Sequence, residues 1–549
     1  MATGTPSELA PQPELVAVQP RRRFALWRAA SFLAIWAAYA ALGQHVIDDD
    51  HVVSGDALSR LAHAFFVFHN APPKLAAIGF VWPPLMTAVF LPLSWATPLA
   101  TSMVILPITS GFFAALLLLS LEQLLEALAV PRLLRLACVA LLGVNPLVVF
   151  YACNGMSEIM YLALIVLGVA GFVRWQLADK AQELLRSGLV FGVGTLVRYE
   201  VAFWAAAVAV LVPLLTVVRR RGRETAEGLS LAFVAPVVYA VAVWSLVNWM
   251  IVGSPLYWVH QENTETFNSA TSPGSANGLG LGHVLSTLLS LNWHLFAPVL
   301  PVAATLVVVG LARRDLMTLG IAAIVALNFV SQTVLALRTG AHMFEIRYNL
   351  RAMPLALIGF GWLFYVCRNR VARAALSVSM LALLLAALPL TWRLMETYEQ
   401  QFGERAFVRA IATGHSQEGT QSFGVYIGTD MQRQAADWLN RHVHRQDEIL
   451  TDDSQSYDVM LFSGHPDRFL DRIDIGDRRW KKVLAHPWGR VRYLLVARIR
   501  RPDLALTRYP HLVDGSVPGF RRVFANSQWL VFSVARHAPG HAPPAQNAG

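Results

Sequence analysis

Charge is scarce in this sequence. Asp, Glu, Lys and Arg make up 15% of its 549 residues, hydrophobic residues make up 55%, and mean hydropathy is +0.46. A soluble domain is nearer 25% charged, so an ordinary soluble fold is excluded and the long apolar runs indicate a multispanning membrane protein. Cysteine is scarcer still. Cys138, Cys153 and Cys367 all lie in or beside apolar segments, and none lies in the polar C-terminal part. That excludes a disulfide framework there and predicts three small buried hydrophobes. The first 19 residues are polar and Pro-rich without an apolar core, which predicts a disordered tail and not a cleaved signal peptide. There is no Gly-rich phosphate loop, no Ser/His/Asp spacing in the polar part, and no internal repeat relating two halves. The net charge of +10 is not a nucleic-acid footprint, because most basic residues before Trp392 form short clusters between apolar runs.

What is present is a series of apolar runs, most of them close to the ~20 residues that cross a bilayer. They cover 24–43, 101–121, 133–151, 158–175, 187–197, 201–218, 229–251, 293–312, 316–337, 352–367 and 374–392. The run 187–197 is too short to cross alone and carries Gly188, Gly192 and Gly194, which predicts a tilted or partly buried helix. Residues 81–98 are apolar but interrupted by Pro83, Pro84, Pro92 and Pro98. They are read as a juxtamembrane or re-entrant piece, which is tolerated where protein buries it. Eleven spans then place eighteen Lys/Arg in cytoplasmic segments and six outside, the asymmetry of the positive-inside rule. The N-terminus is expected in the cytoplasm and the C-terminus outside. The expected organisation is a tail at 1–20, a transmembrane helix bundle at 21–392, an exterior α/β domain at 393–537 and a second tail at 538–549.

The same topology gathers polar residues at the outer face. The first outer loop holds Asp48, Asp49, Asp50 and Asp56, four carboxylates directly after an apolar helix. Such a run is costly near hydrocarbon unless water, a cation or a substrate meets it. From Asp56 the pattern turns helical, with Leu58, Leu61, Ala62 and Phe65 on one face, Arg60, His63 and His69 off it, and Ser54 placed as an N-cap. This predicts a short interfacial helix with a carboxylate at its start. Glu158 opens the fourth span; Arg198, Tyr199 and Glu200 cap the short segment; His260 lies in the loop after 251. Glu345, Arg347, Tyr348 and Arg351 precede the tenth span. Together they predict one outward-facing site, acids from early spans and arginines from later ones. In the polar part, 431–443 reads as an amphipathic helix and 448–451, 459–462, 492–497 and 529–534 as short strands. Asp452 and Asp453 read as a solvated turn.

Several of these stretches carry a resemblance. Gly55-Asp56-Ala57-Leu58-Ser59-Arg60 is followed by Trp82-Pro83-Pro84-Leu85, Asn145-Pro146, Ser157-Glu158, Leu196-Val197-Arg198-Tyr199-Glu200 and Ile346-Arg347-Tyr348. Over roughly 21–392 the chain resembles the GT-C superfamily of integral-membrane glycosyltransferases, among them the dolichyl-phosphate-mannose–protein mannosyltransferases and the lipid A aminoarabinose transferases. The resemblance implies an inverting transfer of a hexosyl or pentosyl group from a polyprenyl-phosphate sugar to a glycan, lipid or protein acceptor outside the cytoplasmic membrane of a bacterium. It implies Asp56, Asp50, Asp49 and Glu158 as catalytic candidates, Arg198, Arg347 and Arg351 on the donor phosphate, and Tyr199, Glu200, His260 and Tyr348 on the substrates. Family members often show an acidic pair followed by Tyr, which this chain lacks, so the base is either Asp56 or one of Asp48–Asp50. A divalent cation in Asp48, Asp49 and Asp50 stays open. The rival reading is a transporter or lipid flippase, since polar residues in broken helices also mark transport paths.

Overall fold

The computed structural model describes residues 22–79, 82–257, 280–339, 344–398, 402–422, 425–498 and 503–538. Helix α1 (Arg22–Asp48) is followed by α2 (Gly55–His69), a 3₁₀ turn at Leu75–Ile78, α3 (Leu85–Ser94) and α4 (Thr97–Thr101). Then come α5 (Ile105–Ala127), α6 (Arg132–Gly143), α7 (Pro146–Cys153), α8 (Ser157–Ala178), α9 (Ala181–Thr195), α10 (Val201–Val218) and α11 (Arg223–Val252). From residue 281 onward lie α12 (Leu281–Phe296), α13 (Val299–Arg313), α14 (Leu316–Thr339), α15 (Ala352–Val366) and α16 (Arg370–Thr397). Among the described residues eight helices are long and apolar enough to cross a membrane, and two bent pairs, α6–α7 and α12–α13, raise this to ten. In the first pair the bend falls at Asn145-Pro146, where Asn145 caps α7 by accepting from the Leu147 amide at 3.1 Å.

The short run 187–197 lies in α9, fifteen residues long, which is not among those ten. It runs antiparallel to α8: Ser187 Oγ donates to the Gly168 carbonyl at 2.6 Å, and Arg198, just beyond α9, reaches Glu158 at the start of α8. Its glycines permit this. A Cβ on Gly188 would lie 2.2 Å from the Phe233 carbonyl oxygen of α11, and one on Gly192 would lie 2.8 Å from that of Pro236. The run expected to be too short to cross alone thus packs closely against α8 and α11, with Ser187, Gly188, Phe191, Gly192 and Gly194 buried. The interrupted segment after residue 81 forms α3 and α4, with Pro92 inside α3.

The two ends of the bundle differ in chemistry. At one end Arg28 and Arg135 bracket Glu122 and Glu126, Arg221 pairs with Asp179, and Arg219 bonds Gln176. At the other lie the Asp48 end of α1, Glu158 and Arg198. Cys138 and Cys153 are buried and Cys367 is partly so; all three are free thiols.

After α16 comes α17 (Phe402–Thr413) and then a small α/β layer. Its five-stranded sheet has the order Phe469–Leu470, Ile449–Thr451, Tyr493–Ala497, Trp529–Val534, Phe520–Ala525. The first three strands are parallel and the last two join antiparallel. The amphipathic segment is a helix, Asp430–His442. Two expectations are corrected here. Residues 459–462 lie in a helix, Asp453–Ser463, not a strand. Asp452 and Asp453 are not a solvated turn: both are buried and both accept from Arg472, at 2.9 and 2.8 Å. A parallel strand ending on buried acids needs a partner charge, and the short helix Arg472–Ile475 supplies it.

Candidate functional site

Helix α2 begins where expected, at Gly55, and Leu58, Leu61, Ala62 and Phe65 are all buried. Ser54 stands at its N-cap but makes no capping bond; its hydroxyl contacts Met156 Sδ at 2.8 Å, on the turn before α8. Arg60, expected off the apolar face, is itself buried. It is 5% exposed, with its guanidinium 4.6 Å from the centroid of the Trp82 ring. The proline-rich segment therefore folds back over α2 and fixes the helix that carries Asp56.

Asp56 Oδ2 accepts from Arg347 Nη1 at 3.1 Å. Arg347 also pairs with Glu345 at 2.5 Å, donates to the Tyr348 hydroxyl at 3.2 Å and lies over the Tyr348 ring. Beside it, Arg198 donates to Glu158 at 2.7 Å and grips Glu200 with two nitrogens, at 2.7 and 3.2 Å. Its guanidinium lies 5.3 Å from the Tyr348 ring and 5.5 Å from the Tyr161 ring. Glu158, Tyr161, Arg198, Arg347, Tyr348 and Arg351 line one narrow crevice. It therefore joins residues from α8, the α9–α10 turn and the approach to α15, with Asp56 of α2 bonded to its Arg347.

Charge pairing sets protonation here. The Asp56 side chain is 39% exposed, yet burial is the largest influence on it and acts to raise its pKa; Arg347 and Arg60 outweigh that and hold the carboxyl below its usual range. For Glu200, burial is likewise outweighed by Arg198, and its pKa is lowered. Glu345 goes the other way, because burial outweighs the pull of Arg347 and the neighbouring Asp56 charge adds to it.

The other predicted residues fall into three groups. Arg351 lines the crevice, but it is 1% exposed and its nitrogens are engaged: they donate to Asn328 at 3.1 Å, the Tyr161 hydroxyl at 3.2 Å and Ser331 at 2.8 Å. Tyr199 turns away, its hydroxyl accepting from Trp244 at 3.4 Å. Asp48 and Asp49 are exposed at the end of α1 and are held on that helix, by Gln44 at 2.8 Å and His45 at 2.5 Å; Asp50 is half-buried. Among the described residues no converging set of metal-type ligands contains these three aspartates. His260 lies outside the described residues.

Reading the sequence missed Tyr161, Tyr151 and Glu404. Tyr161 follows Glu158 by three residues on α8, a spacing that puts both on one face. Glu404 of α17 had no such signal. It is 6% exposed and accepts from the Tyr151 hydroxyl of α7, and burial pushes its carboxyl up to about 7.

Apolar passages and a charged crevice at one end define a polytopic integral membrane protein. No protein-family model matches the sequence, and no curated protein matches it. Among solved structures, the chain is similar to the Archaeoglobus fulgidus oligosaccharyltransferase AglB in complex with an inhibitory peptide and a dolichol-phosphate, at 11% identity and TM-score 0.47 over 86% of this chain and 69% of that one. The same enzyme tethered to an acceptor peptide gives 10% identity and TM-score 0.48 over 93% and 74%. At this identity and score, the likeness carries no argument about the present chain's chemistry.

Proposed function

We propose that this chain is an inverting membrane glycosyltransferase of the GT-C kind, moving a sugar from a polyprenyl phosphate to an acceptor on the extracytoplasmic face of a bacterial inner membrane. The observation that carries the reading is the Asp56–Arg347 pair beside the Arg198 fork, at the outer end of apolar helices. A lipid-borne donor brings its phosphate to the membrane edge, and fixed guanidiniums suit a phosphate leaving group. The acceptor hydroxyl oxygen attacks the anomeric carbon, the bond from that carbon to the phosphate oxygen breaks, and the hydroxyl proton passes to Asp56. Arg198 and Arg347 take the charge that grows on the leaving phosphate. Tyr348 stacks against both guanidiniums and keeps them in place. Glu158 and Glu200 hold Arg198. Arg351 supports the wall from inside its polar network.

The pairing also supports a sequence of events. Without donor, Arg347 depresses the Asp56 pKa and makes it a weak base. A phosphate seated on Arg347 competes for the same donors, so Asp56 becomes more basic when there is something to transfer. The experiment is incubation of purified protein with polyprenyl-phosphate sugars, following release of the free lipid phosphate and labelling of the acceptor. A lipid flippase would move the lipid between leaflets without releasing the phosphate, and that result would set the proposal aside.

A further inference from the structure

The first loop also carries a histidine outside the crevice. His51 follows the aspartate run, and its Nδ1 lies 3.3 Å from Glu418 Oε2 of the exterior domain. Asp430, the first residue of the helix Asp430–His442, completes a set in which one imidazole nitrogen and two carboxylate oxygens all lie within 4.8 Å of one another.

Several features build this arrangement. Ser416 Oγ donates to the Asp50 carbonyl at 3.1 Å and docks the 416–430 segment on the first loop. Within that segment the Gly419 amide donates to the Ile427 carbonyl at 3.1 Å, and the Ile427 amide donates to the Thr420 carbonyl at the same distance. This brings Gly428 against Glu418. Gly428 sits at φ +95°, and a Cβ there would lie 2.5 Å from Glu418 Oε1, so the glycine is what gives the carboxylate its place. That Oε1 atom is shielded from solvent and has no hydrogen-bond partner. A simple His51–Glu418 ion pair would account for neither the idle oxygen nor the second carboxylate.

We propose that His51, Glu418 and Asp430 form a divalent transition-metal site, with Zn(II) the ion its donors suit best. One borderline nitrogen with two carboxylates is a donor set of zinc and its neighbours, whereas calcium and magnesium prefer oxygen alone. Zn–N and Zn–O distances of about 2.0–2.2 Å place tetrahedral ligand atoms roughly 3.3 Å apart. The His51–Glu418 pair already stands at 3.3 Å, and the exposed Asp430 side chain closes the rest by rotation. Water fills the fourth position. Such an ion ties the loop that leads into Asp56 to the exterior domain, and the ligand from the first loop is the histidine, not the aspartates before it.

The test is titration of the full chain, in detergent, without a polyhistidine tag and stripped by chelator, with Zn(II) alone. Calorimetry and thermal melting are the readouts. The expected result is one ion per chain, a raised melting temperature, and a fall in affinity beyond the 10–100-fold that loss of an outer-shell partner costs in His51→Ala and in Glu418→Gln. Asp430→Asn, at an exposed position, should weaken binding while leaving the metal-free melting curve unchanged, which separates ligation from folding. Asp48→Asn and Asp49→Asn should bind as the parent does. Failure of the parent to bind one ion, or binding retained in His51→Ala, or lost in Asp49→Asn, would overturn the assignment.

Discussion

Replacing Asp56 with Asn keeps the shape of the side chain and its acceptor for Arg347 Nη1, 3.1 Å away, while removing the basic oxygen. General-base help is typically worth about 10² to 10⁴ in rate, so turnover of a polyprenyl-phosphate sugar should fall by that factor. Folding should hardly respond. The pair is 39% exposed on the Asp56 side and 25% on the Arg347 side, and ion pairs open to solvent contribute about 0–1 kcal/mol. The pH dependence adds a sharper check. Burial raises the Asp56 pKa and Arg347 with Arg60 lowers it further than burial raises it. A base must be unprotonated, so in the free enzyme activity should persist below the normal carboxylate range and fall only as pH drops through the depressed value. Removing Arg347 removes the largest lowering influence, so in Arg347→Ala the acid limb of kcat/KM should move to higher pH. The assay is lipid-phosphate release across pH, with melting curves alongside. Full turnover in Asp56→Asn, with collapse in Asp49→Asn or Asp50→Asn, would move the base into the aspartate run. An unmoved acid limb in Arg347→Ala would sever the coupling between the pair.

Three further outcomes are expected. Arg198→Ala and Arg347→Ala should each lower kcat by about 10²–10³, the usual cost of one fixed donor to developing charge, and lysine should restore only part because it lacks the fork; unchanged turnover in both would make these arginines anchors to headgroups. Labels on cysteines placed at Gly222 and Arg370 should be protected from an impermeant reagent in intact cells, while one at Ser416 should react, and the reverse pattern would invert the proposed orientation. Glu404, at about 7 when folded against ~4.3 unfolded, binds its proton more tightly in the native state, so that its share of stability is full below the unfolded value and lost as pH rises through 7; Glu404→Gln should flatten the fall in melting temperature over that window, and an unaltered slope would remove Glu404 as its source.

The helix bundle was legible because apolar runs of membrane length declare themselves by composition alone. All eleven runs correspond to helices, two of them broken. The break at Asn145-Pro146 fell inside one expected span, and its consequence, a bend of 65°, depends on packing that no run length reveals. The clustering of polar residues was legible as far as topology carries it: alternating spans put Asp56, Glu158, Arg198, Glu200 and Arg347 at one end, and the structure places them there together. Contact within that set was not legible. Arg351 and Arg347 look alike four residues apart, yet one is sealed among Asn328, Ser331 and Tyr161 and the other holds acids at the crevice. Glu404 and Glu418 were invisible because their partners, Tyr151 and His51, lie more than two hundred residues away in sequence. In the C-terminal α/β layer, the runs at 448–451, 492–497 and 529–534 are strands, while 459–462 was mistaken because four apolar residues do not distinguish strand from helix.

The charges of the crevice balance, and that bears on how a donor would enter it. Asp56, Glu158, Glu200 and Glu345 face Arg60, Arg198, Arg347 and Arg351, and apart from Arg60 and Arg351 every one of them is in a direct ion pair. Neither Arg198 nor Arg347 waits empty for a phosphate. Paired in this way, the arginines stay ordered next to hydrocarbon, where an unpaired charge would cost several kcal/mol. A phosphate can join only by sharing or replacing a carboxylate. Among the carboxylates, Asp56 has the most accessible side chain and a single bond to its arginine, whereas Glu200 is held by two nitrogens of Arg198 and Glu158 is 2% exposed. Exchange at Arg347 is therefore the least costly, and the carboxylate it frees is the one that the proposed mechanism uses as its base. The same ion pair that occupies Arg347 in the resting site would keep its base idle until the donor arrives.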